Sequence, residues 1–200
     1  MKLHWSPTSP YVRKVMIAAH EVGAVDQLEF AETFPQSVIE DVGPDNPLGM
    51  IPALVTDDGE PLYDSSVIIA WLNDRFGGSL IPAPGPEAWA VYRRHALAHG
   101  LIDTTNARFH ERRRPPELQW AQQDAKLARR IGLALDGLDR ETEALAGPFG
   151  IAQIAAGVAL SYLDLRYPDE DWRSGRPALA GWHAAILERP SFAATAPPEV

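Results

Sequence analysis

Ser9, Ile51, Pro52, Asp64 and Ser65 are the residues of this chain whose types and surroundings could do chemistry. Ser9 stands in Ser6-Pro7-Thr8-Ser9-Pro10-Tyr11-Val12-Arg13-Lys14, between a strand-like segment and a helix that Pro10 opens. Proline suits a first helical turn because it has no N–H to leave unpaired. One reading is that Thr8 or Ser9 simply caps this helix. The other is that the Ser9 hydroxyl donates a hydrogen bond to a bound thiolate. A thiol with a pKa of about 8.5 is only a few per cent ionised at neutral pH. Lowering that by two pH units requires about 2.7 kcal/mol of preference for the anion. One hydrogen bond to a charged group supplies about 1.5–3 kcal/mol, and a helix N-terminus adds about 0.3–1 kcal/mol. Together they suffice without a base.

The second motif is Asn46-Pro47-Leu48-Gly49-Met50-Ile51-Pro52-Ala53-Leu54. Pro52 enters a strand but cannot donate to a central ladder, so it marks an edge or special backbone geometry. The local sequence favours a trans bond, since only about 5–6% of X-Pro bonds are cis. A cis bond would turn the Ile51 N–H and C=O outward, to pair with a short peptide as an added strand does. Third, Tyr63-Asp64-Ser65-Ser66 opens a helix. Asp64 and Ser65 read either as N-cap and first-turn residue or as an anion site for an α-carboxylate, with Asp64 available to an α-ammonium. A ligand with a thiol, a peptide backbone and an amino-acid head group would satisfy all three motifs.

The elements that must position these groups follow from periodicity. Lys2-Leu3-His4-Trp5 alternates as a strand with Leu3 and Trp5 on one face. Val12, Val15, Met16 and Ala19 form a helical stripe, and Leu28–Glu32 alternates again, which predicts a β-α-β unit and a parallel strand pair. Ala53–Thr56 and Pro61–Tyr63 flank Asp57-Asp58-Gly59-Glu60, a hairpin turn with glycine where positive φ is expected. The next helix should carry Ile69, Leu72 and Phe76 inward. Gly77 to Pro86 breaks both periods and reads as a linker. Beyond it the pattern is helical: Ile131, Leu135, Leu138 and Leu145 mark one face, and Ile151, Ile154, Ala155, Val158, Tyr162 and Leu165 another.

The bulk properties narrow the function classes. The chain has 200 residues, 46% of them apolar and 22% charged, as in ordinary globular proteins. A net charge of −9 argues against nucleic-acid or anionic-membrane partners. Arg112-Arg113-Arg114, beside Glu111 and Glu117, reads as a solvated helix end. With no cysteine the chain has no disulfide, no thiolate metal site and no protein thiol nucleophile. His95 and His99 share a helix face, but Ala-Leu-Ala between them lacks the glutamate of a metalloprotease, and no metal is expected. No apolar run reaches the ~18 residues of a membrane span, and Met1 leads into a strand rather than a signal peptide, so a cytoplasmic location is the expectation.

In order and spacing the three motifs resemble the glutathione-binding half of a glutathione S-transferase, of bacterial cytosolic type, and the likeness extends over essentially the whole chain. It implies a thioredoxin-like α/β domain over residues 1–77, a linker over 78–86 and an all-helical domain over 87–200. The family's catalytic Ser, Tyr or Cys falls on or near Ser9, its cis-proline on Pro52, its peptide-pairing residue on Ile51, and its acidic-Ser pair on Asp64 and Ser65. Arg176 to Trp182 and Glu188 to Phe192 resemble the family's closing helix. The resemblance implies glutathione as co-substrate, a small electrophilic or hydrophobic partner, a role in detoxification and a homodimer. Without cysteine, thiol transfer and dehydroascorbate reduction drop out, as does a plain Cys-x-x-Cys redox protein. Conjugation, peroxide reduction, isomerisation and dehalogenation remain. Two positions depart from the family. Met50 stands where many relatives carry a polar side chain, and Gly150-Ile151-Ala152-Gln153 replaces a Ser/Thr-x-x-Asp capping box, with Gln153 able to reach back to the Gly150 backbone. Met50 keeps a rival open: a protein that holds glutathione or another ligand without turnover.

Overall fold

A computed structural model of the chain describes residues 1–198. It divides into two compact units, Met1–Ile81 with the chain from Arg189 onward, and Pro82–Glu188. The first is a small mixed sheet with helices. Strand β1 (Lys2–Trp5) lies beside β2 (Glu29–Glu32) in parallel, with Leu3 opposite Phe30. This is the pairing that the β-α-β reading predicts. On its other side β1 pairs antiparallel with β3 (Ala53–Val55), and β3 pairs antiparallel with β4 (Pro61–Leu62), giving the order β2-β1-β3-β4. Gly59 turns the β3–β4 hairpin at φ +84°, which glycine adopts without steric cost.

Helix α1 (Pro10–Glu21) buries Val12, Val15 and Ala19 as the stripe predicts, along with Ile17 and Ala18. Met16 is only partly covered. A short helix α2 (Val38–Val42) precedes the second motif. Helix α3 (Ser65–Arg75) packs on α1 through Ile68, Ile69 and Leu72, all 0% exposed. Phe76 departs from expectation: it is the C-cap, half-exposed, and not a core residue. A Schellman closure ends the helix there, with Gly77 at φ +68° and the Gly78 N–H donating to the Asn73 carbonyl at 2.8 Å.

In the second unit α4 (Pro86–Arg112) packs against α5 (Ala121–Asp139) and α7 (Ile151–Arg166), with the short α6 (Thr142–Leu145) and α8 (Pro177–Leu187) completing it. Pro86, read in sequence as linker, is the first residue of α4. Residues 151–163 of α7 are buried all round, so α7 is a central helix and not one with a single apolar stripe, and Leu165 is only half-buried. Gln153 does not close a capping box. Its Nε2 donates 3.3 Å to the Leu145 carbonyl, which also accepts from Trp182 Nε1 at 3.0 Å.

The chain's last described helix, α9 (Pro190–Ala193), returns to the first unit and packs on α1. Arg189 grips Glu21 at the end of α1 with two bonds of 2.7 and 2.6 Å, and Ser191 Oγ adds a third at 2.5 Å. The Arg189 hydrogen bond is the main reason the Glu21 carboxyl is held below the usual range, with Ser191 helping and burial opposing. A depressed carboxyl stabilises the fold above its unfolded pKa of about 4.3, and the gain is lost as pH falls through the folded value. Glu21→Gln should therefore cost about 1–2 kcal/mol in urea unfolding at pH 7, and the gap to wild type should shrink towards pH 3. A gap that does not change with pH would contradict the assignment.

Candidate glutathione-binding site

Ser9 is the N-cap of α1. Its backbone is extended (φ −78°, ψ 119°), and its Oγ accepts a 3.3 Å hydrogen bond from the Val12 N–H. The capping reading is thus realised. A hydroxyl has one donor and two acceptor positions, so a serine that caps by accepting still has its proton to donate. The side chain is half-buried. Capping therefore does not exclude thiolate stabilisation, because the two use different parts of the same hydroxyl.

The second motif owes its shape to Asn46, a residue whose role the sequence reading missed. Asn46 is 2% exposed; its Nδ2 donates 2.7 Å to the Met50 carbonyl and its Oδ1 accepts from the Leu48 N–H at 3.1 Å. The Gly49 N–H closes the turn on the Asn46 carbonyl at 2.8 Å, with Gly49 at φ +60°. Asn-Pro ahead of a glycine was the available signal, since Asn side chains copy backbone turns. Asp45 ties this loop to β1, its Oδ2 lying 2.7 Å from both Lys2 Nζ and His4 Nε2. Lys2 first, and then His4, hold the Asp45 carboxyl below the usual range. The loop delivers Met50 to the surface at 63% exposure, leaves Ile51 half-buried and buries Pro52. The Ile51–Pro52 peptide is cis, against the local statistics, as is Tyr63–Asp64. Among the described residues neither the N–H nor the C=O of Ile51 has a hydrogen-bond partner.

Asp64 is the N-cap of α3, accepting from the Ser66 N–H at 2.9 Å, and is itself exposed. Ser65 follows as the first helical residue. It is 0% exposed, and its Oγ has no hydrogen-bond partner. Leaving such a group unmet costs about 1–3 kcal/mol.

Strand register brings the motifs together. His4 of β1 faces Ala53 of β3, so continuing the antiparallel pair sets the residues after Trp5 beside Pro52 and Ile51. Leu54 faces Leu62, so the exit of β4 into Asp64 lies at the same end. The start of α1, the start of α3 and the turn before β3 thus share one end of the sheet. Two helix N-termini, each with a partial positive charge, converge there.

A second cluster looks catalytic and is not. Ser161 of α7 lies 3.1 Å from His183 Nε2, and His183 Nδ1 lies 4.0 Å from Asp164 Oδ2. Ser161 Oγ already donates its proton to the Gly157 carbonyl at 2.9 Å, so the imidazole must donate to it and cannot act as its base. Asp164 is held by Arg173 and by Trp172 Nε1. Nor does any group of three or more metal-capable side chains occur among the described residues, and His95 and His99 stack edge to face with centroids 5.5 Å apart.

A model of the glutathione S-transferase N-terminal domain matches residues 8–75, and one of the C-terminal domain matches residues 112–185. A curated relative, the uncharacterized GST-like protein YibF of Escherichia coli (strain K12), is 32% identical over 203 residues and covers 100% of both chains. The chain belongs to the glutathione S-transferase family. A glutathione transferase family member from Pseudomonas fluorescens Pf-5, crystallised with bound glutathione, superposes at a TM-score of 0.95 with 40% identity, covering 98% of each chain. The same Pf-5 protein with bound S-(propanoic acid)-glutathione superposes at 0.90, also at 40% identity, covering 99% of this chain and 100% of that one. The thioredoxin-like α/β unit with an all-α partner is therefore the glutathione S-transferase fold. Asn46→Ala should unpair the Met50 carbonyl and free the turn, at about 2–3 kcal/mol. Urea unfolding measures it, and a loss under 0.5 kcal/mol, by the same estimate, would show that the amide positions nothing.

Proposed function

We propose that this glutathione S-transferase binds glutathione at the end of the sheet where the three turns converge, and that Ser9 holds its sulfur as the thiolate for attack on a small electrophile. The observation carrying the reading is that the Ser9 hydroxyl, at the N-terminus of α1, spends its acceptor on the Val12 N–H and keeps its proton to donate. Support comes from the unpartnered Ile51 backbone groups, which suit the peptide of the ligand. It comes also from the unmet Ser65 hydroxyl at the start of α3, which suits a carboxylate. Exposed Asp64 has one carboxylate oxygen beyond its cap to offer an ammonium. The Pf-5 relative's two bound ligands, glutathione and S-(propanoic acid)-glutathione, share the glutathione peptide.

In the reaction the thiol proton leaves to water, sulfur forms a bond to the electrophilic carbon, and the leaving group departs with the bonding pair. One hydrogen bond and one helix terminus supply about 2–4 kcal/mol towards the anion, and no covalent enzyme intermediate is required. Among the described residues no helix is long and apolar enough to cross a membrane; we place the protein in the cytoplasm as a detoxifying homodimer. Met50 and Val67 in the first unit, and Trp89 against Tyr92 in α4, are among the exposed apolar groups available to a second copy. A glutathione-holding protein without turnover is the second reading, favoured by Met50, which offers the ligand no polar side chain and is 63% exposed.

Kinetics with a haloalkane, an activated chloroarene and a hydroperoxide test this. For any of the three that reacts, Ser9→Ala should lower kcat/KM by about 100-fold, as expected from removing roughly 2.7 kcal/mol, while glutathione affinity stays within about threefold. An unchanged rate would remove Ser9 from the mechanism. A wild type that binds glutathione and turns over neither these nor an electrophilic carboxylic acid would establish the second reading.

A further inference from the structure

Arg13 lies one helical turn beyond Ser9 on α1, its N–H donating 3.0 Å to the Ser9 carbonyl. It is 8% exposed, and its charge has almost nothing to meet. Nη2 donates 3.3 Å to the Phe192 carbonyl, the Phe192 ring lies 5.6 Å from the guanidinium, and Nε is buried with no partner. No carboxylate of the described residues pairs with it. Arg108, the other deeply buried arginine, has both Asp124 and Glu170. Burying an unpaired ion costs several kcal/mol, and burial lowers the Arg13 pKa to about 10.

The residue also lines a cavity of about 140 Å³ with Ser6, Pro7, Val12 and Thr195. That volume exceeds the roughly 10–15 Å³ that one water needs. Its wall includes Ser6 and Pro7, which begin the turn that the Ser9 N–H closes on the Ser6 carbonyl at 3.3 Å, and Val12, whose N–H donates to Ser9 Oγ. Arg13 therefore shares a cavity with the residues flanking Ser9 on either side. The guanidinium fork matches a planar carboxylate.

We infer that Arg13 is the recognition group for a carboxylate on the electrophile, so that the substrates are small carboxylic acids that also carry an electrophilic carbon. This rests on the reading that Ser9 holds the glutathione thiolate nearby. With 3-bromopropionate the sulfur bonds to C3, the C–Br bond breaks, bromide leaves with the electron pair, and the thiol proton goes to water. No oxidant or reductant is involved.

The test compares 3-bromopropionate with its neutral amide, 3-bromopropionamide, each rate divided by its uncatalysed rate with glutathione. The wild type should favour the acid at least tenfold in kcat/KM, and Arg13→Gln should bring that ratio close to one. Loss of the Phe192 clamp alone would lower both rates alike and leave the ratio standing, which would overturn the inference. Should Arg13→Gln not fold, calorimetry on the wild type decides: S-(2-carboxyethyl)glutathione should bind at least tenfold tighter than its amide. Equal affinities with glutathione binding intact would overturn the carboxylate assignment alone. Absence of glutathione binding would overturn the reading beneath it as well.

Discussion

Because β3 runs against β1 and β4 runs against β3, the exits of β1 and β4 and the entry of β3 lie at one end of a four-stranded sheet. Everything else at the candidate site depends on that register. It sets Ser9, Ile51 and Asp64-Ser65 at that one end of the sheet although 55 and 56 residues separate the ends of the set in sequence. It also brings two helix N-termini to that end, and a helix N-terminus favours an anion. A slip of one residue in the β1–β3 pair would turn Leu3 out of the core and break the arrangement at once.

The site is built from small contributions on a rigid support. Each hydrogen bond contributes a kcal/mol or two, so precision of placement matters more than any single interaction. The support is polar as well as apolar. Asn46 holds the turn before Ile51, and Asp45 fastens that turn to Lys2 and His4 of the central strand. On the far side, Glu21 and Arg189 fix α9 to α1, and Arg13 reaches from α1 to the Phe192 carbonyl. Two of the residues performing these tasks, Asn46 and Arg13, stand inside the motifs that drew attention first.

What was legible in the sequence was local. Alternation in Lys2–Trp5, proline after Ser9, glycine in the 57–60 turn and the acid-Ser pair each depend on neighbours a few residues away, and each element formed where they indicated. What was not legible depended on distant partners. By alternation His4 lies on the face opposite Leu3, yet it is only 4% exposed, and Asp45 of the loop after α2 meets its Nε2 at 2.7 Å. Gln153 turned to the Leu145 carbonyl, a partner that α6 brings close, and left Gly150 uncapped. Phe76 fell just beyond a helix whose end Gly77 dictates. The isolation of Arg13 could not be read at all, since it shows only when every neighbouring carboxylate has been located.

The central claim is that a serine hydroxyl and a helix terminus, with no base, are enough to ionise a bound thiol. The ultraviolet absorbance of the glutathione thiolate, followed across pH in complexes with the wild type and with Ser9→Ala, measures it directly. The account predicts that bound glutathione titrates at least one pH unit below the free thiol's value of about 8.5, and that Ser9→Ala removes most of that depression, leaving only the roughly 0.2–0.7 unit that the helix terminus supplies. A bound thiol that titrates like free glutathione in the wild type, or a depression that survives the substitution in full, would contradict it.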